Sequence, residues 1–303
     1  MSYDPDFSDF FEALYDALGT ESVIVFGGTG DGIYETSGAE NYGVSALGIS
    51  SYGRVSWSTA IEQGVQTDSF SAARACARKA LVSCPASTGF RMVLADGAKA
   101  DGHAIVGGIA AEIPGPFLGG LTGDDRKFTS SRVFLNGTEY EDAVAILTGC
   151  GELDFAVNAS SGWTPMGRAG VVEDNQGCEI RTISGQTAQE FMAGALGKPL
   201  GEADLGIVPL AAYQAGSTEH FFLRTTSHLH ADTCAVTTFG SVEKGTVVRV
   251  CSASRDDVIR GVKDAMQGLT LDSLDFTPSA AIVISCAGRK WLLADRGEKE
   301  ISA

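Results

Sequence analysis

The stretch Leu118-Gly119-Gly120-Leu121-Thr122-Gly123-Asp124-Asp125-Arg126-Lys127-Phe128 constrains the fold of this chain more than any other. An apolar run stops at glycines, and two carboxylates and two cations follow at once. Glycine carries no Cβ, so the backbone there takes left-handed angles and comes close to its neighbours. The pattern reads as a strand that ends in a tight turn with opposite charges side by side. An echo lies upstream at Phe26-Gly27-Gly28-Thr29-Gly30-Asp31-Gly32, and Gly28 and Gly120 stand 92 positions apart. Each copy runs on through a polar stretch into an apolar strand, at 44–49 and at 143–147. Residues 20–65 and 115–160 therefore read as one sheet unit used twice.

Along the chain, Phe7, Phe10, Phe11, Leu14 and Leu18 recur at helical spacing and predict an amphipathic helix over 6–18, stopped by Gly19. Residues 43–50 and 53–63 read as antiparallel strands about a Tyr52-Gly53 turn. A helix is expected over 69–82, capped by Ser69 or Ser71, and another over 101–112. Strands are expected at 23–26, 90–95, 116–119, 132–135, 141–147 and 153–159. The helix at 186–196 closes at Gly197. Beyond residue 205 the spacing predicts strands at 221–226, 234–238, 246–251 and 280–285, and a helix over 255–267 capped by Ser254. The fold class is α/β, with mixed sheets, repeated strand-helix-strand units and a two-part architecture, 1–205 and 206–303.

With 303 residues and 44% hydrophobic content, the chain buries a sizeable core. Its net charge of −16 argues against nucleic acid and anionic membranes as partners, since phosphate binding needs Lys and Arg. No apolar run approaches the roughly 18 residues of a membrane span. The acidic start, Met1-Ser2-Tyr3-Asp4, lacks the basic residues of a signal peptide. The seven cysteines form no C-x-x-C pair and are read as reduced thiols in a cytoplasmic protein.

Several residues carry chemistry. The glycine turns match neither a Walker loop nor G-x-G-x-x-G, so their glycines read first as structural. Asp124, Asp125 and Arg126 are either a solvated turn or a charged binding edge. Trp163, in Gly162-Trp163-Thr164-Pro165-Met166-Gly167, either walls a ligand pocket or seals the core. Cys286 stands where a strand is expected to end. A following helix and Arg289 would activate its thiol, and the alternative is an inert buried cysteine. His228 and His230, two residues apart, would put both rings on one face of a strand and are weak candidates for a metal or haem pair. His103 and His220 lie apart from them.

These pieces together resemble the FIST family (F-box and intracellular signal transduction). The resemblance rests on Gly27-Gly28-Thr29-Gly30, on Gly119-Gly120 with Asp124-Asp125 and Phe128, and on Asn136-Gly137. It continues through Gly162 to Gly167, Leu223-Arg224, Gly240, Gly245 and Cys286-Ala287-Gly288-Arg289. It implies an N-terminal and a C-terminal FIST module, sensory in role, with amino acids among the proposed ligands. Some bacterial relatives resemble haem-based nitric oxide sensors that act on histidine kinases. Two departures from the family pattern stand out. A strand usual before the first helix is missing, and the chain stops at Ala303 before a further glycine-rich strand. The C-terminal module is therefore expected to be incomplete, and no F-box is expected before Asp6.

The leading expectation is a cytoplasmic, non-enzymatic sensor whose output runs through a separate protein such as a histidine kinase. Its small-molecule ligand is expected in one cleft between the two parts. Gly28, Gly120, Asp124, Asp125, Arg126, Trp163, Arg224, Cys286 and Arg289 would line that cleft. A zwitterion needs a cation for its carboxylate and a carboxylate for its ammonium, which Arg and Asp supply. A cysteine-dependent enzyme using Cys286 and a haem sensor using a histidine are the alternatives. No cofactor is expected, and the purified protein should stay colourless when haem is supplied.

Overall fold

The computed structural model describes residues 7–36, 38–84, 89–269 and 274–301. They divide into two compact units, Met1–Asn158 with Gly268–Ile284, and Ala159–Gln267 with Ser285–Ala303. The first unit's N-terminal stretch ends at Asn158, and each unit takes in a piece of the chain from beyond residue 267.

In unit 1, α1 (Phe7–Leu18) lays Phe7 and Phe11 on a three-stranded antiparallel sheet. Its strands are β1 (Phe26–Gly28), β7 (Val133–Leu135) and β8 (Thr138–Tyr140), in the order β1-β7-β8. Phe134 on the central strand meets the Phe7 ring at 4.7 Å between centroids and the Phe11 ring at 5.5 Å, edge-on. A short hairpin, β2 (Ile33–Glu35) with β3 (Gly38–Glu40), follows β1.

The larger sheet of unit 1 is mixed. It holds β4 (Val55–Gln63), β5 (Phe90–Ala95), β6 (Leu118–Leu121) and β9 (Ala143–Gly151), in the order β4-β9-β5-β6. Two strand-helix-strand units build it. Helix α2 (Val65–Ser83) links β4 to β5, and α3 (Gly102–Ala110) links β5 to its parallel neighbour β6. Small residues on α2 recur every turn, at Ala72, Ala73, Cys76, Ala77 and Ala80. They share one core with Ile105 and Ile109 of α3 and with Val93, Val144 and Ile146 of the strands. Ala143 to Ile146 are fully buried, as a central strand requires.

Asp68 interrupts α2 with φ −154° and ψ 90°, and its carboxylate accepts from the Ser71 amide and hydroxyl. Asp68 therefore caps the helix, in place of the expected Ser69 or Ser71. Asp101 caps α3 by accepting from the His103 and Ala104 amides.

Unit 2 is built on one antiparallel sheet of eight strands. Seven lie in the order β14-β13-β17-β10-β11-β16-β15, and β12 (Gln186–Thr187) pairs with β11. Their spans are β10 (Thr164–Gln176), β11 (Glu179–Ile183), β13 (Leu210–Tyr213), β14 (Phe221–Arg224), β15 (Thr226–Leu229), β16 (Val236–Thr238) and β17 (Val247–Ser252). Period-two alternation sends neighbouring residues to opposite faces. Leu210, Ala212, Val248 and Val250 join the core under α4 (Ala188–Leu196). Ala211 and Cys251 join a second core with Trp163, with Val258 of α5 (Arg255–Gln267) and with Leu293 of α6 (Ala287–Leu293). The sheet is thus covered on both faces. A short helix, α7 (Glu298–Ile301), closes the unit. Thr187 and Glu190 form a reciprocal capping box on α4, and Gly197 ends it at φ 70°.

Several expectations are corrected. Residues 44–49 form no strand and leave Val44, Leu47 and Ile49 exposed, although the turn at Tyr52-Gly53 is present. β4 takes β9 as its partner over nine residues, so the expected hairpin has no second strand. Residues 153–159 and 280–285 also form no ladder, and Val283 is 66% exposed. The two glycine turns are not equivalent positions in a repeat. Gly28 ends a strand with an antiparallel neighbour, whereas Gly120 lies in a parallel edge strand of another sheet. Finally, Cys84 and Cys150 form a disulfide, with Cα atoms 5.7 Å apart, so not all seven cysteines are thiols. The 6–18 helix is present as Phe7–Leu18, and its expected first residue lies outside the described residues. No helix among the described residues is long and apolar enough to cross a membrane.

Candidate functional site

In an open α/β sheet, ligands bind beyond the carboxyl ends of the parallel strands. In unit 1 that end of β5 and β6 is where the two glycine turns interlock. A Cβ on Gly28 would collide with the Thr122 methyl, and one on Gly123 would collide with the Asp31 carboxylate. The bare backbones are held by hydrogen bonds in both directions. Thr29 N donates to Arg132 O at 2.9 Å, Gly123 N donates to Thr29 O at 3.0 Å, and Arg132 N donates to Thr29 Oγ1 at 3.0 Å.

Beneath the turns lies a buried polar knot. Asp96, the residue after β5, is fully buried. Its carboxylate accepts from Ser131 Oγ at 2.7 Å, from Ala98 N at 3.0 Å and from Asp142 N at 2.8 Å. Ser131 Oγ in turn accepts from Gly97 N at 2.9 Å and lies 2.8 Å from Thr122 Oγ1. Every acceptor in the knot faces a donor, so these buried groups fix the turns in one arrangement.

The rim above the knot is charged. Glu141 receives Lys99 Nζ at 2.9 Å, Arg132 Nη2 at 3.1 Å and Ser130 Oγ at 3.0 Å. The Lys99 and Ser130 hydrogen bonds hold the Glu141 carboxyl below the usual carboxylate range, and the same carboxylate raises Lys99. Asp124 organises the loop itself, accepting from the amides of Phe128, Thr129 and Ser130 at 2.8, 2.6 and 3.0 Å. Asp31 accepts from Asp125 N at 2.9 Å. Between these pins Asp125, Arg126 and Phe128 take φ of 58°, 64° and 53°. Three non-glycine residues within four positions thus sit in the left-handed region, a conformation that costs about 1–3 kcal/mol each and persists only where neighbours over-determine it.

Gly28, Gly120, Asp124, Asp125 and Arg126 therefore belong to one neighbourhood of unit 1. Ile284 comes within 3.2 Å of where a Cβ on Gly120 would stand. Trp163, Arg224, Cys286 and Arg289 belong to unit 2. Trp163 is 7% exposed, sits in the apolar core and donates Nε1 to Ile207 O at 2.9 Å; it seals that core. Arg289 is buried in an ion pair with Glu300, and it also donates to Ser161 O at 2.7 Å and Val258 O at 2.8 Å. Its guanidinium ties α5, α6 and α7 together. Arg224 donates Nε to Ser241 O at 3.0 Å and lies over the Phe222 ring. Cys286 is exposed and immediately precedes α6.

The histidines are dispersed except for one pair. The His228 and His230 rings meet edge-on at 4.7 Å, and His230 Nε2 lies 2.8 Å from Thr237 Oγ1 and 4.0 Å from Glu179 Oε2. No group of three His, Cys, Asp or Glu side chains is placed to hold a metal ion among the described residues. Asp96, Lys99, Ser131, Arg132 and Glu141 were not singled out from the sequence. The signal available for Asp96 was its place just after a strand, in Ala95-Asp96-Gly97.

The FIST N domain model matches residues 1–186 and the FIST C domain model matches residues 178–303. No curated protein and no solved structure matches the chain. Between them the two domain models span all 303 residues, and the chain belongs to the FIST family.

Proposed function

We infer that this protein serves sensing in signal transduction, the role with which FIST domains are associated. We propose that this protein senses a small zwitterion of the amino-acid class at the 122–132 turn of unit 1. The observation that carries this reading is the run of left-handed residues at Asp125, Arg126 and Phe128, pinned by Asp124 and Asp31. Strain held in place by a satisfied polar knot is a feature of pre-organised ligand sites. In this reading the Arg126 guanidinium takes the ligand carboxylate as a bidentate fork, and the exposed Asp125 carboxylate takes its ammonium. Lys99, Arg132 and Glu141 set the surrounding field. The protein is cytoplasmic, and its output passes to a separate signalling protein such as a histidine kinase.

Titration calorimetry of the full chain with each of the common amino acids tests the reading. One of them should bind with a single saturable isotherm. Arg126→Ala and Asp125→Asn should each weaken it about tenfold to a hundredfold, the size of one lost charge-assisted contact. Absence of binding by every amino acid, or binding untouched by both substitutions, would overturn it.

A further inference from the structure

The sheet β1-β7-β8 has the glycine turns at its Gly28–Val133 end and an open groove of about 450 Å³ at the other. Helix α1 supplies one wall. Phe11 and Glu12 lie one turn before Tyr15, and all three line the groove together with Glu21, Asn136 and Gly137. The far wall is rigid. Asn136 N donates to Val25 O at 2.8 Å, and Asn136 Oδ1 accepts from Val25 N at 3.1 Å. The Tyr15 ring stands 3.2 Å from where a Cβ on Gly137 would be, so it packs on bare backbone. Phe11 stacks edge-on against Phe134, which fixes its ring.

The chemistry of the lining is one-sided. It contains two carboxylates, Glu12 and Glu21, and no Lys, Arg or His. Neither carboxylate has an ion-pair partner among the described residues. Burial, and then the charge of Glu21, hold the Tyr15 phenol above its ordinary pKa. An anion would meet repulsion here, and a neutral apolar ligand would leave the carboxylates unused.

We propose that the groove between α1 and the β7–β8 turn binds an organic ammonium group carried on a short apolar stem. Glu12 and Glu21 neutralise the charge, and the Tyr15 and Phe11 rings meet the methyl or methylene groups next to it. Aromatic rings attract such cations through their quadrupole, most strongly where water is excluded. The same group occurs in free quaternary amines and in lysine side chains.

The test uses the full chain with choline, with its neutral carbon isostere 3,3-dimethylbutan-1-ol, and with Nα-acetyl-lysinamide, each followed by calorimetry. Saturable one-to-one binding of an ammonium probe is expected, with the neutral isostere at least about tenfold weaker. Binding of choline alone assigns the site to free quaternary amines, binding of the lysinamide alone to a protein side chain, and binding of both to ammonium groups in general. Glu21→Gln and Tyr15→Leu should each weaken the bound probe about tenfold, while Glu152→Gln, elsewhere in the unit, should leave it unchanged. The same variants are checked for unaltered circular dichroism, and Glu12→Gln serves where Tyr15→Leu disturbs the helix. No saturable binding of either ammonium probe would overturn the proposal. So would equal affinity for the isostere, or equal weakening by Glu152→Gln.

Discussion

Single side chains decide whether the 122–132 turn keeps its shape. Asp124 accepts from three backbone amides of the loop. Asp124→Ala should therefore lower stability by about 1–2 kcal/mol, the scale of a lost capping carboxylate, and should weaken any ligand at Arg126 as well. Thermal unfolding of the variant beside Asp125→Asn, whose side chain caps nothing, checks the first part. Thiol chemistry gives a second prediction at this scale. Burial pushes Cys76 up to about 12 and Cys251 up to about 11, so neither ionises at neutral pH. Native protein treated with iodoacetamide should be modified at the exposed Cys286 and not at Cys76 or Cys251, as peptide mapping will read. Labelling of Cys76 in the folded state would show that α2 opens far more readily than its packing implies.

Among the secondary-structure elements, the tie between α2 and β9 is the most consequential. The Cys84–Cys150 bond links residues 66 apart, joining the C-terminal end of α2 to the strand between β4 and β5. Closing a loop of that length constrains the unfolded chain by about 4 kcal/mol in the chain-entropy treatment, and the native cost of losing it is commonly about 2–5 kcal/mol. Reduction, or Cys84→Ser with Cys150→Ser, should thus lower the denaturation midpoint clearly while leaving the helical signal intact. An unchanged midpoint would mean that the bond adds nothing to unit 1. The longer helices were largely legible in the sequence, although Asp68 rather than Ser69 or Ser71 caps α2. The Arg255–Gln267 helix has the expected bounds, and the reciprocal bond of Ser254 with Asp257 caps it as Ser254 should. Local spacing and one polar side chain are enough to specify such an element. The strands were less legible. The apolar runs at 44–49, 153–159 and 280–285 have strand composition, but a strand exists only where a partner edge is available. Conversely, β10 was missed because Arg168, Glu173 and Asp174 make it look like a loop, although β11 and β17 pair with it on both sides. The site was half legible: the glycine turns advertised themselves, whereas Asp96 became visible only when Ser131 and Asp142, more than thirty residues away, folded onto it.

For the whole molecule, charge sets the response to pH. The carboxyls of Asp68, Glu112, Glu141 and Asp257 are all held low by hydrogen bonds or cations made on folding. A carboxylate depressed in the native state stabilises it above the unfolded pKa, about 4, and that contribution is lost as pH falls through the folded value. Lys99 acts with the opposite sign, stabilising below about pH 10 and ceasing to do so as the lysine deprotonates. The denaturation midpoint should therefore be flat from about pH 6 to 9 and fall on the acid side below about pH 5. Glu141→Gln should flatten part of the acid limb, and an acid limb unchanged in that variant would show that the Lys99–Glu141–Arg132 rim carries no linkage.

The sensing role proposed for this protein requires one property at this scale, a stoichiometric complex with a ligand. Native mass spectrometry of the full chain, mixed with all the common amino acids at equal concentration, measures it directly. The expected spectrum shows one added mass, that of a single amino acid, on one chain, and the adduct disappears in Arg126→Ala and Asp125→Asn. A spectrum with no adduct for any of them, or an adduct that survives both substitutions, would contradict ligand sensing at the 122–132 turn.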